Sequence, residues 1–254
     1  MEAVTMKRIV RLTIMAIAAA VFLYSAAMVL NYCLEMRSAE EFTETLHELV
    51  VIQPTAANTE GERPTESTEP VEQAPIAVDF QQLLAQNQDV IAWIYCPDTP
   101  INYPIVQASD NNYYLRRRLD GKRHTAGTLF MDSRNEANFS NWNSIIYGHN
   151  MKNDTMFGTL TDYQDAAYFE AHPVMYLLTP EQSYRIDILT GFVTSAKDEL
   201  YNAFYLDEAQ KLALLERWQG GAEWDQDARL VTLSTCSYDF DNARYVLIGR
   251  LEPI

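Results

Sequence analysis

Between Leu12 and Leu34 the chain runs 23 residues without a charge. As a helix rising about 1.5 Å per residue, this run is about 34 Å long and matches a bilayer core of about 30 Å. Lys7, Arg8 and Arg11 precede it; Glu35, Glu40, Glu41 and Glu44 follow it, opposed only by Arg37. Excess positive charge marks the cytoplasmic side of a spanning helix. The pattern therefore predicts a cytoplasmic N-terminus over 1–11, a transmembrane anchor over 12–34, and everything later outside the cell. A cleaved signal peptide is the rival reading. The run is long for its apolar region, and the small residues Ala18, Ala19 and Ala20 sit inside it rather than after it.

Beyond the anchor the pattern changes twice. Residues 35–52 place Phe42, Leu46, Leu49 and Val50 at helical spacing, which predicts a short amphipathic helix or stalk. Residues 53–75 are rich in Pro, Thr and Glu and hold no aromatic residue, so they bury too little apolar surface to offset the entropy of ordering. Together 35–75 are expected to form a stalk and a disordered acidic linker. From Ile76 to Ile254 the apolar positions are frequent enough for a core, and one catalytic domain is expected there.

Within that domain the apolar positions come in short runs punctuated by Gly, Pro, Asn and Asp. Strands are predicted over 90–95, 101–106, 127–131, 144–147, 174–179, 184–194, 229–235 and 244–251. Helical patches are expected over 79–87, 110–118 and 154–170. A better helix spans 207–219, with Asp207 as its cap, Ala209, Leu212, Leu215 and Trp218 as its apolar stripe, and Gly220-Gly221 as its stop. Many short strands and few helices favour a mainly β fold, a barrel or sandwich, over a βαβ fold.

Charge removes some functions and leaves others. The formal net charge is −16, and residues 35–79 alone hold eleven acids against two bases, a net of −9. The acidity is thus mostly a linker property. The dense basic run Arg116-Arg117-Arg118 with Lys122-Arg123 reads as a solvated helix face, and no nucleic-acid partner is expected. No metal-ligand spacing, phosphate loop or dinucleotide fingerprint is present, so no cofactor is expected.

The three cysteines differ in setting. Cys33 lies in the anchor, Cys96 precedes Pro97 at a strand-to-turn junction and reads as a small buried residue, and Cys236 ends the apolar run Arg229-Leu-Val-Thr-Leu-Ser-Thr-Cys236. After a short polar loop, Arg244-Tyr-Val-Leu-Ile-Gly-Arg-Leu251 reads as a second strand. If the two pair antiparallel, a thiol and a guanidinium meet at one rim of a sheet. A guanidinium stays charged and its fork suits a carbonyl oxygen turning into an oxyanion. A thiol nucleophile also wants an imidazole. Of the four histidines, His149 alone closes a core strand, Ser144-Ile-Ile-Tyr-Gly-His149.

Thr232-Leu-Ser-Thr-Cys236 with Arg244 eight residues on resembles the TLxTC…R signature of sortases. Tyr147-Gly-His149-Asn-Met151, followed by Met156-Phe157 and Leu160, resembles the histidine segment of class B sortases. So do Asp89-Val-Ile-Ala-Trp-Ile94, Thr99-Pro-Ile-Asn-Tyr-Pro-Ile-Val-Gln107 and Asp110-Asn-Asn-Tyr-Tyr-Leu115, and the helix at 207–219 resembles that class's helical insertion. The resemblance covers about residues 79–251 in order. It implies an eight-stranded sortase-type β-barrel and a cysteine transpeptidase. Such an enzyme cleaves a C-terminal sorting signal of a secreted protein at a threonine carbonyl. It then passes the acyl group to an amine of the peptidoglycan precursor, or to a lysine of another protein in pilin polymerisation, or to water in a hydrolase. By matching position Cys236 is the nucleophile, His149 the general acid and base, and Arg244 the oxyanion and substrate ligand. Asn111, Leu115 and Tyr147 match residues of the sorting-signal groove, and Ser234 shares the face of Cys236. The residue after the cysteine is Ser237, where some relatives carry an acid, so no role for that acid carries over.

Overall fold

The computed structural model describes residues 2–53, 73–218 and 228–254. The chain divides into two units, Met1–Leu46 and His47–Ile254. The first is helix α1 (Glu2–His47), whose most apolar stretch has a mean hydropathy of 2.2 and is long and apolar enough to cross a membrane. Large apolar side chains along it, among them Phe22 and Leu23, are exposed. A helix apolar all round needs either a protein core or a bilayer about it.

The helix runs on without a break to His47, but the stalk's helical spacing does not extend to Val50. There the backbone becomes strand β1 (Val50–Ile52), paired antiparallel with β2 (Ile76–Val78). Gln53 N–H donates to the Pro75 carbonyl at 2.8 Å, so the two ends of the acidic segment lie side by side. Of the disorder expected over 53–75, residues 54–72 fall outside the described residues, as does the Gly220-Gly221 stop.

Eight strands close the expected barrel: β3 (Val90–Tyr95), β4 (Asn102–Val106), β5 (Leu129–Met131), β6 (Asn143–Tyr147), β7 (Val174–Leu178), β8 (Ser183–Ser195), β9 (Leu230–Cys236) and β10 (Ala243–Pro253). Their order around the barrel is β10-β8-β7-β3-β4-β5-β6-β9. The pairs β4–β5 and β6–β9 are parallel and the others antiparallel. Eight strands leave an interior just wide enough for side chains to fill. Ile94, Ile105, Met131, Ile146, Leu177, Leu233, Tyr245 and Leu247 fill it.

Residues 145–147 of β6 and 245–248 of β10 read as unbroken apolar runs because both of their faces are covered. The inward partners Ile146, Tyr245 and Leu247 alternate with Ile145, Val246 and Ile248, which pack outward under Leu200, Leu214, Leu215 and Trp218. The last three belong to α4 (Glu208–Trp218), where the Asp207 carboxylate accepts from Gln210 N–H at 2.9 Å. The buried stripe of α4 is Leu214, Leu215 and Trp218; Ala209, expected in it, is exposed.

Two helical expectations give way to turns. Over 110–118 there is only a single 3₁₀ turn, Tyr114–Arg116. Asp110 Oδ1 accepts from the N–H groups of Asn112 and Tyr113 at 2.7 and 2.9 Å. Such a local side-chain bond competes with the helix ladder. The basic run is accordingly not a helix face. Arg118 is buried and paired with Asp120 at 2.5 Å, Arg117 lies over the Tyr113 ring at 4.8 Å, and Arg117 bridges to Arg123. Over 154–170 there are two short pieces, a 3₁₀ segment Gly158–Gln164 and helix α3 (Ala166–Ala171), the latter capped by the Asp165 carboxylate. Between α3 and α4, a further 3₁₀ segment, Glu199–Tyr205, follows β8. Helix α2 (Phe80–Gln86) fits its predicted span.

Candidate active site

Cys236 is the last residue of β9, and its direct cross-strand partner is Arg244, the second residue of β10. The register continues Thr235 with Tyr245 and Ser234 with Val246. In an antiparallel pair, opposite residues have Cβ atoms about 4.5–5.5 Å apart, so the ladder sets the Cβ atoms of Cys236 and Arg244 side by side at the rim. Arg244 also donates through Nη1 to the Ala243 carbonyl at 2.9 Å, and no carboxylate among the described residues pairs with it.

On the other flank of β9 runs β6, in parallel, with Tyr147 opposite Ser234. Beyond that pair the chains stay tied: Gly148 N–H donates to the Ser234 carbonyl at 3.1 Å and Thr235 Oγ1 to the Gly148 carbonyl at 2.9 Å. Asn150 Nδ2 donates to the Cys236 carbonyl at 2.9 Å. His149 sits between these anchors, level with Cys236. Its Nε2 lies 2.7 Å from the Leu115 carbonyl. A carbonyl only accepts, so Nε2 carries a hydrogen and Nδ1 is the nitrogen left to exchange a proton. Gly148 is required by close approach: a Cβ there would lie 2.5 Å from both Leu129 Cδ2 and Phe157 Cδ2.

These groups open into a groove of about 430 Å³. All seven residues named from sequence line it: Cys236, His149, Arg244, Asn111, Leu115, Tyr147 and Ser234. Arg134, Lys197, Asp198, Tyr201 and Asn202 line it too, and no sequence signal had named them. Tyr201 Oη lies 2.7 Å from Ser234 Oγ. Burial pushes the Tyr201 phenol up to about 12, against the pull of Ser234 and Arg244, so it stays a neutral hydroxyl.

Beneath this wall lies Asp132, fully buried one residue past β5. Its carboxylate accepts from Arg134, from Tyr147 Oη at 2.8 Å and from Asn111 Nδ2 at 3.1 Å. Burial alone would raise its pKa. The donors of Arg134 and the Tyr147 hydroxyl outweigh burial and hold it below the ordinary carboxylate value. Arg134 also donates to the Tyr201 carbonyl at 2.8 Å and so ties the 199–205 segment to the barrel. Asp198 anchors the start of the same segment. It accepts from Leu200 N–H at 2.9 Å and pairs with Arg217 of α4 at 2.5 Å.

Cys96 makes a contrast. It is buried, its sulfur lies 3.5 Å from Tyr163 Oη, and burial pushes its thiol up. It packs as a small core residue, whereas Cys236 is half-buried at the groove.

Residues 94–252 match the family model described as the sortase domain. The chain belongs to the sortase family. It is similar to Sortase B of Listeria monocytogenes, at 34% identity over 182 residues, covering 68% of this chain and 72% of that protein. Among solved structures it is similar to the Staphylococcus aureus sortase B–substrate complex. That likeness has a TM-score of 0.64 and 26% identity, covering 69% of this chain and 85% of that one. The sortase B of Clostridium perfringens gives a TM-score of 0.63 at 28% identity, covering 68% of this chain and 99% of that one. The sortase B resemblance seen in the motifs thus extends over the barrel as a whole, and the chain belongs to a transpeptidase family associated with the cell envelope. In this sortase Arg244 and His149 line the same groove as Cys236, from positions eight after the cysteine and 87 before it.

Proposed function

We propose that this sortase is a cysteine transpeptidase that anchors secreted proteins to peptidoglycan. The Cys236 thiolate attacks the carbonyl carbon of the threonine in a C-terminal sorting signal. The carbonyl oxygen becomes an oxyanion and is met by the Arg244 guanidinium. The peptide C–N bond then breaks, and His149 gives a proton to the departing amine, leaving a thioester on Cys236. In the second half an amine of the cell-wall precursor attacks the thioester, gives its proton to His149, and releases Cys236 as an amide forms. Asn111, Leu115, Tyr147 and Ser234 hold the signal peptide in the groove. The charge asymmetry about 12–34 puts residues 1–11 in the cytoplasm and the barrel outside the cell, where secreted clients and wall precursors are found.

One observation carries this reading: the cross-strand pairing of Cys236 with Arg244, with His149 just past the end of β6, between Gly148 and Asn150, which both bond to β9. It gives a nucleophile, a proton carrier and an oxyanion ligand on one groove. The test is mass spectrometry of the full chain in detergent with a peptide library and a diaminopimelate- or glycine-bearing amine. The expected result is an acyl adduct on Cys236 followed by a new amide product. Cleaved peptide without amide would make it a hydrolase, and transfer only to protein lysine a pilin polymerase.

A further inference from the structure

We infer that Asp132 is a positioning residue that fixes the hydrogen-bond polarity of the recognition wall. It presents Tyr147 to the substrate as an acceptor only and locks the carboxamide of Asn111 in one orientation. The inference rests on the reading that Asn111 and Tyr147 contact the sorting peptide.

The count of donors and acceptors carries it. A carboxylate offers about four lone-pair sites and no donor. Oδ1 of Asp132 accepts from Arg134 N–H at 3.0 Å and Arg134 Nε at 2.8 Å. Oδ2 accepts from Arg134 Nη2 at 2.8 Å, Tyr147 Oη at 2.8 Å and Asn111 Nδ2 at 3.1 Å. Those five donors saturate the group, which is wholly buried.

The consequences run outward to the groove. Tyr147 has one hydroxyl hydrogen, and Asp132 takes it. What remains is a pair of oxygen lone pairs, so a ligand at Tyr147 must bring its own N–H or O–H. Burial and the Asp132 charge both push the Tyr147 pKa upward, so the phenol keeps that hydrogen. Asn111 is pinned at both ends. Its Nδ2 faces the carboxylate, and its Oδ1 accepts from Ser133 N–H at 2.7 Å. A flipped amide would set oxygen against carboxylate and NH₂ against N–H. Asn111 therefore offers the groove one N–H and one lone pair in fixed places. A peptide side chain or backbone amide bearing a donor fits the Tyr147 oxygen; a carboxylate, with acceptors only, does not.

Two experiments test this in the full chain. The first measures steady-state cleavage of quenched peptides of two sorting-signal types that the class B resemblance implies, Asn-Pro-Xaa-Thr and Ser-Pro-Xaa-Thr, by the wild type, Asp132→Asn, Tyr147→Phe and the double variant. Each single change is expected to raise KM about tenfold with kcat within about twofold, and the double to be no worse than about the larger single. A structural role alone would lower the active fraction, hence Vmax, and leave KM in place. An unchanged KM in Asp132→Asn, or additive effects in the double, overturns the inference. Arg134→Lys takes the place of Asp132→Asn if the latter melts below the assay temperature. The second experiment needs no peptide: amide NMR of ¹⁵N-asparagine-labelled protein, with Asn111 assigned from Asn111→Ala. One Asn111 carboxamide proton is expected to be protected from water exchange in the wild type and to lose protection in Asp132→Asn. Equal exchange of both protons in the wild type overturns the inference by itself. If the wild type cleaves neither peptide, the proposed function falls, and the NMR result decides the inference separately.

Discussion

On one side of the groove, Cys236 and Arg244 face each other across a ladder of antiparallel strands, and His149 lies between Gly148 and Asn150, which both bond to the strand of Cys236. On the other side, Asn111 stands in a turn and Tyr201 in a 3₁₀ segment, neither with a strand partner. The first wall is placed by backbone register, in which every residue is fixed by its neighbours' hydrogen bonds. The second is placed by a few side-chain bonds that converge on Asp132, Arg134 and Asp198. Cys236 and Arg244 thus sit on the stiff wall together with Ser234 and Tyr147, while Asn111 and Tyr201 sit on the wall that depends on single carboxylates. Chemistry tolerates less displacement than recognition does, since about 1 Å of misplacement can cost 100-fold in rate.

The contrast can be broken at the reacting wall first. Cys236→Ala is expected to lower turnover by at least about 10⁴-fold with circular dichroism and melting unchanged, because it deletes the nucleophile from an intact ladder. Residual turnover near wild type would move the chemistry elsewhere. Next comes Arg244→Ala, expected to lower the rate of Cys236 acylation by about 10²–10³-fold in single-turnover assays. Arg244→Lys should restore only part of it, since an ammonium lacks the fork. Unchanged acylation would leave the oxyanion without its proposed ligand.

Smaller effects sharpen how each wall is held. Gly148→Ala must push Leu129 and Phe157 aside, and urea unfolding should show a loss of about 1–3 kcal/mol. A neutral result would mean that β6 yields at its end and that the stiff wall is softer than its ladder suggests. The last prediction concerns acid. Asp132 has its folded-state pKa lowered from 3.8, so it contributes stability above the unfolded value, and that contribution is lost as pH falls below 3.8 through the folded value. Stability measured against pH should fall more steeply below 3.8 in the wild type than in Asp132→Asn. Parallel curves would show that the carboxylate is not what the recognition wall hangs on.

Much of the stiff wall was legible in the sequence. The polar loop between two apolar runs predicted that Cys236 meets Arg244, and period and punctuation placed the eight barrel strands to within a few residues. Of the other wall the motifs named Asn111, but what holds that wall in place was not legible, for a physical reason. Asp132 sits two residues before Arg134 with nothing local to mark it as buried, and its partners Asn111 and Tyr147 lie 21 and 15 residues away. Tyr201 was one tyrosine among 15. The apolar and polar pattern of 110–118 suited a helix, but the Asp110 side chain took the first N–H groups and the Leu115 carbonyl went to His149. Such competition is settled by distant partners and leaves no periodic trace.

By itself the sequence determined the anchor-like apolar run, the strand-rich barrel and the three groups expected to carry the reaction. Each is written in local pattern: an uncharged length, an alternation, a residue type at a strand end. Only the tertiary structure decided which buried carboxylate orients Tyr147 and Asn111, which segment covers the groove, and that the ends of the acidic stretch lie together. Those follow from groups meeting across long stretches of chain, where burial turns a single unmatched donor or acceptor into a cost of about 1–3 kcal/mol.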